Sequence, residues 1–382
     1  MTAAPEPPVA LIAEITHRCP LSCAYCSNPL ELERAGSELT TSDWLRVIDE
    51  AAALGVLHLH FTGGEPLARR DLATLVRRAS DRQLYTNLIT SAVQLDDRMM
   101  KVLAEAGIDH IQISFQDADA ARADASGGLA GGHARKLEAA RRVVAAEVPL
   151  TVNLVVHRGN LDGLEAMLAL GEAVGASRIE VAHVQYYGWA LLNRERLLPT
   201  RAQLDAATAT VRAARARYAG RIVIDYVVPD YYATRPKACM GGWGRRAINI
   251  SPSGQALPCH AAGALPGFDF PNVRTASLED IWTRSEAFAR YRGVDWAPEP
   301  CRSCEHLETD LGGCRCQAFA LTGDAGRTDP ACVLSPDHHV IAEAIAAASV
   351  TGENQSPSTP RRIGLFRRTD VSPNTPTGSG RF

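Results

Sequence analysis

No apolar run in the chain approaches the ~20 residues that would cross a bilayer, so a membrane-spanning role is not expected. The N-terminus, Met1 to Pro8, lacks the basic start and apolar core of a signal peptide, which leaves a cytoplasmic location as the expectation. Neither sign of charge dominates: the formal net charge is −3, and nucleic acid is not expected as the main partner. Nor is the composition skewed as in collagen-like, fibrous or fully disordered chains. With 46% hydrophobic and 22% charged residues over 382 positions, the chain reads as globular and long enough for two domains. Cysteine is also missing, but only locally: none occurs between Cys26 and Cys239.

The ten cysteines that are present fall on either side of that gap. Cys19, Cys23 and Cys26 lie near the start, and Cys239, Cys259, Cys301, Cys304, Cys314, Cys316 and Cys332 fill the last third. Abundant thiols in a reducing compartment point to metal or redox chemistry rather than disulfides. Two separated groups suggest two sites in two domains.

Between them, β-rich runs alternate with helical stretches. Val9–Ile15, His58–Thr62, Leu84–Thr90, His110–Phe115, Leu150–His157 and Arg178–Gln185 read as buried strands, rich in Ile, Leu and Val. Thr41–Leu54, Arg69–Arg82, Asp96–Ala106, Ala134–Ala146 and Leu161–Val174 carry apolar residues at helical spacing, with Thr40, Thr41 and Ser42 as candidate N-caps. Repeated β-then-α units imply a parallel sheet, open or barrel-like; the six units are too few for an eight-stranded barrel, so a partial one is the barrel option. After Tyr231 the rhythm changes: Gly241, Gly242 and Gly244 cluster, Ala247–Ser251 and Ala256–Cys259 read as a hairpin, and Leu278–Tyr291 reads as a helix. Metal ligation would help so thin a region to pack. The expected divisions are residues 1–8 as a flexible start, 9–230 as the core, 231–345 as the cysteine-rich domain and 346–382 as a disordered tail rich in Ser, Thr, Pro, Gly and Arg.

Cys19-Pro-Leu-Ser-Cys23-Ala-Tyr-Cys26 follows the first strand. Three thiolates can hold three irons of a [4Fe–4S] cluster and leave the fourth open for chemistry. A zinc site completed by His17 is the alternative, although zinc ligands usually pair as Cys-x2-Cys. With Tyr25 as the aromatic, the spacing resembles the signature of the radical S-adenosylmethionine (SAM) enzymes. That resemblance implies a partial (βα)6 barrel, SAM chelated to the open iron, and reductive cleavage of SAM to a 5′-deoxyadenosyl radical. It also gives meaning to Gly63-Gly64-Glu65-Pro66 after the second strand, where the family meets the SAM amino group. Glycines allow carbonyls to approach an ammonium, and a carboxylate adds a charge-assisted bond. By the same analogy Asn87 and Ser114, placed at later strand ends, reach the SAM ribose or carboxylate; capping a strand end is the alternative for both.

Cys239-x14-Gly254-x4-Cys259, Cys301-x2-Cys304, Cys314 and Cys332 resemble the SPASM extension of that family, which implies two auxiliary iron–sulfur clusters. Asp310 stands where the family has a cysteine, five residues after Cys304 and three before Cys314. The resemblance implies one cluster on Cys301, Cys304, Asp310 and Cys332, and leaves Cys239, Cys259, Cys314 and Cys316 for the other. The Cys-x-Cys pair favours [2Fe–2S] at the latter and [4Fe–4S] at the former, with His260 and His306 as rival ligands. Buried or zinc-bound cysteines are the alternative for all seven.

Cys26-Ser-Asn-Pro, Tyr85-Thr-Asn-Leu-Ile-Thr-Ser, Gln185-Tyr-Tyr-Gly-Trp-Ala, Cys239-Met-Gly-Gly-Trp-Gly and Leu311-Gly-Gly-Cys-Arg-Cys-Gln-Ala-Phe resemble one branch of the family, from about Val9 to His339. This branch serves pyrroloquinoline quinone (PQQ) biosynthesis. The resemblance implies an oxidoreductase that joins a glutamate to a tyrosine within the precursor peptide PqqA. The small chaperone PqqD would present the peptide, and flavodoxin is a plausible electron donor by analogy. Another SPASM peptide maturase, or a cluster- or zinc-bearing binding protein without turnover, remains open. Tyr186, Tyr187 and Trp189 face either substrate or core.

Overall fold

The computed structural model describes residues 5–353. Nine strands form one sheet: β1 (Ala10–Thr16), β2 (His58–Gly63), β3 (Tyr85–Thr90), β4 (His110–Phe115), β5 (Leu150–Val156), β6 (Arg178–His183), β7 (Val223–Val227), β8 (Ala247–Ile250) and β9 (Ala256–Leu257). Their order is β7-β6-β5-β4-β3-β2-β1-β8-β9, parallel throughout except for the antiparallel β8–β9 pair. The six expected βα units form its centre.

Strand periodicity divides the sheet into two faces. Leu11, Leu59, Phe61, Leu88, Ile111, Val152 and Ile179 are wholly buried in one core with Trp44, Val47, Leu72, Leu75 and Val143 from the helices. The opposite face is polar. Register aligns His60, Asn87 and His110 in one row, and Ser114, Asn153, Glu180 and Asp225 in another. The strands thus present an apolar side to the helices and a polar side to the interior of the partial barrel. Thr40 caps the first helix, Thr41–Ala53, in a reciprocal capping box with Asp43.

Several elements depart from the expectation. The helix Arg201–Arg217 and β7 after it extend the sheet beyond the sixth unit. This helix buries Leu204, Ala207, Val211 and Ala214; three of these four contacts are Ala or Val, so its apolar stripe is faint in sequence. Ala120–Gly127 is a further unanticipated helix. The expected hairpin forms, but β8 pairs in parallel with β1, Ala10 opposite Ala247, so the cysteine-rich region is built onto the core sheet. Leu278–Tyr291 is two helices, Leu278–Arg284 and Glu286–Ala289, and it buries Trp282 and Phe288 in the main core.

Both ends need correction. Residues 5–8 are not loose: the Glu6 carbonyl accepts the Trp282 indole N–H at 2.8 Å. Part of the expected tail is helical, because His339–Glu353 forms one helix whose Ile341, Ala344 and Ala348 pack with Leu197, Tyr231 and Tyr232. The rest of the expected tail, 354–382, lies outside the described residues.

Candidate functional site

Cys19, Cys23 and Cys26 occupy the loop beyond the C-terminal end of β1, all half-buried. The Cys26 N–H donates to the Cys23 carbonyl at 3.2 Å, and Ser22 N–H donates to Gly127 at 2.9 Å. Tyr25 packs its ring 5.8 Å from His157, and burial together with the neighbouring Cys23 thiol pushes its phenol well up. His17, the rival zinc ligand, is otherwise engaged: its Nδ1 accepts the Glu33 N–H at 3.0 Å, and its Nε2 lies 3.3 Å from the Glu14 carboxylate.

Gly63 and Gly64 sit directly against this loop. Gly64 N–H donates to the Thr16 carbonyl at 2.6 Å, and Glu65 N–H donates to Arg18 at 2.7 Å. A Cβ on Gly64 would stand 2.5 Å from the carbonyls of His17 and Arg18, so the approach requires glycine. Glu65 is wholly buried, with Pro66 starting a short turn behind it. Its Oε1 accepts from Leu67 N–H at 3.1 Å and the Thr90 hydroxyl at 2.5 Å; its Oε2 accepts from Ser91 N–H at 2.9 Å and from the Ser91 hydroxyl. The three bonds from Thr90 and Ser91 fasten the glycine turn to the end of β3, and the Leu67 bond closes the turn itself. With four donors on its two oxygens, the Glu65 carboxylate positions the turn rather than standing free for the expected bond to a ligand's ammonium.

Asn87 is displaced from its expected place. It is the third residue of β3, not a strand end, and its amide bridges His60 Nδ1 at 3.2 Å and His110 Nδ1 at 2.9 Å. Ser91 holds the strand-end position instead. Ser114 does lie near the end of β4, where its carbonyl accepts from Lys136 Nζ at 2.8 Å. Lys136 escaped sequence reasoning. It is 2% exposed, also donates to Gln116 Oε1 at 2.5 Å, and lies close enough to Cys23, Glu65 and Cys19 to feel their charge. Burial pulls its ammonium down to about 8. A signal existed: Lys136 shares the buried helix face with Ala139, Ala140 and Val143, where a cation has no place without a purpose.

The seven later cysteines form two sets. Cys239, Cys259, Cys314 and Cys316 close into one buried ring, each thiol near enough to two others to shift their protonation. Bonds from Cys239 and Cys316 hold Cys259 and Cys314 well below the usual thiol range, and the same bonds push Cys239 and Cys316 well up. Thiols sharing protons in a buried ring are the protonated counterpart of a tetrathiolate site, where metal replaces the protons. His260 lies beside the ring, its Nδ1 3.8 Å from Cys259 Sγ. Cys301, Cys304, Asp310 and Cys332 line one small pocket with Asp329, Thr328 and Pro236. One Asp310 oxygen accepts the Gly312 N–H at 2.9 Å. His306 turns away to Glu305, 3.2 Å distant. Asp329, also missed in sequence, is wholly buried between the sets: Oδ2 accepts Cys314 N–H at 2.7 Å, and burial pushes its carboxyl up to about 6. Among the described residues, no three or more His, Cys, Asp or Glu are gathered as ligands of a single metal ion.

The Radical SAM superfamily model matches residues 13–170, and that of SPASM, an iron-sulfur cluster-binding domain, matches 239–305. A PqqA peptide cyclase from Granulibacter bethesdensis is 64% identical over 342 residues, 90% of this chain and 91% of the relative. One from Rhodopseudomonas palustris is 58% identical over 349 residues, 91% and 93% of the two chains. The chain belongs to the PqqA peptide cyclase family of radical SAM–SPASM proteins. Solved structures agree on the fold. Streptococcus suis SuiB bound to S-adenosylmethionine superposes with a TM-score of 0.72 at 19% identity, covering 86% of this cyclase and 78% of SuiB. The anSMEcpe structure with bound AdoMet gives 0.62 at 15% identity, covering 92% and 97%. The SPASM match ends at residue 305, so Asp310, Cys314, Cys316 and Cys332 of this cyclase lie beyond it. No helix among the described residues is long and apolar enough to cross a membrane.

Proposed function

We propose that this cyclase is a radical SAM oxidoreductase that forms a carbon–carbon bond between a glutamate and a tyrosine of the precursor peptide PqqA in PQQ biosynthesis. The observation that carries the reading is the convergence of the Cys19–Cys23–Cys26 loop with the Gly63–Gly64 turn at one end of the parallel sheet, in a chain 64% identical to a PqqA peptide cyclase. When bound, the cluster and SAM supply a 5′-deoxyadenosyl radical, and the auxiliary clusters supply an acceptor for the electron released on rearomatisation.

The chain's own residues hold these groups in place. Cys19, Cys23 and Cys26 ligate the first [4Fe–4S] cluster, and the Gly63 and Gly64 carbonyls meet the SAM amino group. Glu65 keeps that turn against β3 through its bonds from Thr90 and Ser91. Lys136 places a buried positive charge beside the cysteine loop, where the thiolates and the SAM carboxylate are negative. Cys239, Cys259, Cys314 and Cys316 hold one auxiliary cluster, read as [2Fe–2S]. Cys301, Cys304, Asp310 and Cys332 hold the other, read as [4Fe–4S], with a carboxylate that is a harder ligand than thiolate. PqqD as peptide chaperone, flavodoxin as donor and a cytoplasmic location complete the proposal.

Anaerobic turnover with SAM, a reductant, PqqA and PqqD, followed by mass spectrometry of the peptide, tests the reading. The expected product lacks two hydrogens and carries a bridge between Glu and Tyr. Production of 5′-deoxyadenosine with a different link would point to another maturase activity, and absence of 5′-deoxyadenosine would exclude both.

A further inference from the structure

The segment that follows β6 touches both ends of the proposed electron path. It is fastened to the first cysteine loop by backbone and side chain: Ala190 N–H donates to the Cys26 carbonyl at 3.1 Å, and Asn193 Nδ2 donates to the Ala24 carbonyl at 2.9 Å. Gly188, at φ +50°, packs so closely on Asn28 that a Cβ would stand 2.1 Å from its carbonyl oxygen. One residue earlier, the Tyr187 side chain reaches the other way. Its hydroxyl lies 3.0 Å from Cys314 Sγ, and its ring meets His260 edge-on at 6.1 Å between centroids. Tyr187 packs against the cluster of buried side chains that contains Cys259, Cys314 and Cys316.

We propose that Tyr187 is a positioning residue that sets the reduction potential of the auxiliary cluster held by Cys239, Cys259, Cys314 and Cys316. This rests on the reading of those four cysteines as cluster ligands. A ligating Cys314 is a thiolate and has no proton to give, so the phenol is the donor. A hydrogen bond to a ligand sulfur favours the more negative, reduced cluster and raises its potential. Because Tyr187 is also fixed through Gly188 and Ala190 to the first cysteine loop, the donor is held by the site where the radical arises.

The test is a redox titration of the fully loaded enzyme, followed by EPR and visible absorption. Tyr187→Phe keeps the ring against His260 and removes only the donor; the potential of this auxiliary cluster is expected to shift negative while the first cluster keeps its own. Substituting 2,3-difluorotyrosine at position 187 keeps the shape with a more acidic donor, and a positive shift is expected. Opposite shifts support the proposal. A Phe variant with full iron and the parent's potential overturns it, because a purely packing role predicts that outcome. Should the Phe variant lose iron, the difluorotyrosine enzyme decides, and an unmoved potential there overturns the proposal. Iron content in a Cys19, Cys23, Cys26→Ala background tests the underlying reading separately. No iron attributable to the four-thiol ring overturns that reading and the proposal with it.

Discussion

Replacing Glu65 with Gln changes one atom of a side chain that is wholly buried, and the consequence can be worked from its four donors. The amide oxygen can still accept from Leu67 N–H and the Thr90 hydroxyl. The new NH2 group then faces Ser91 N–H, which has no lone pair to offer, although the Ser91 hydroxyl can rotate to accept. One backbone N–H left without its acceptor costs about 1–3 kcal/mol, and the surviving bonds lose their charge assistance. Glu65→Gln is therefore expected to cost about 2–4 kcal/mol. Glu65→Ala strands all four donors, but water can enter the space, so about 4–5 kcal/mol is expected. Denaturant unfolding of the cluster-loaded enzyme under anaerobic conditions measures both. Because the bonds fix the turn that carries Gly63 and Gly64 against β3, SAM affinity should fall with stability. Ser91→Ala combined with Glu65→Gln should fall short of the sum of the two by about 1 kcal/mol, since each removes the charge assistance of the Ser91 hydroxyl bond. A Glu65→Gln enzyme within about 0.5 kcal/mol of the parent, or full additivity with Ser91→Ala, would refute the positioning role.

Changing Cys19, Cys23 and Cys26 together to Ala should abolish 5′-deoxyadenosine formation while iron in the two later sets remains; continued SAM cleavage would exclude that loop as the active cluster's cradle. Asp310→Cys should retain the cluster of the pocket lined by Cys301, Cys304 and Cys332 but alter its EPR signal, and Asp310→Ala should weaken assembly; variants identical to the parent in iron, EPR and product would show that Asp310 is not a ligand. Burial holds His60, His157 and His183 down to about 4, whereas unfolded histidines titrate near 6.5. Between those values unfolding takes up protons, so stability is full above 6.5 and falls as pH drops toward 4, by up to about 3 kcal/mol each for the deeply buried His157 and His183. Denaturant midpoints compared at about pH 7.5 and about pH 5 should show the loss, and a flat profile would contradict it.

By itself the sequence determined the chemistry at each short motif. The spacing of Cys19, Cys23 and Cys26 is local, so the loop forms wherever β1 ends, and the six central strands were legible because buried parallel strands are written as continuous apolar runs. The expected division of Cys301, Cys304, Asp310 and Cys332 from the other four cysteines came from the resemblance to the SPASM extension, with the count of seven thiols pointing to Asp310 as an eighth ligand. Tertiary structure alone decided what those motifs touch. Asn87 was misplaced because a strand run does not mark which residue is its last. The Thr90 and Ser91 donors on Glu65, the approach of Lys136 to the cysteine loop and the 3.0 Å contact between Tyr187 and Cys314 each join separate elements, which local periodicity does not record. The same holds for β8, whose hairpin was readable but whose partner, β1, lies more than 200 residues earlier. Two edges with unsatisfied N–H and C=O groups must find each other in the folded chain, and only packing selects which pair meets.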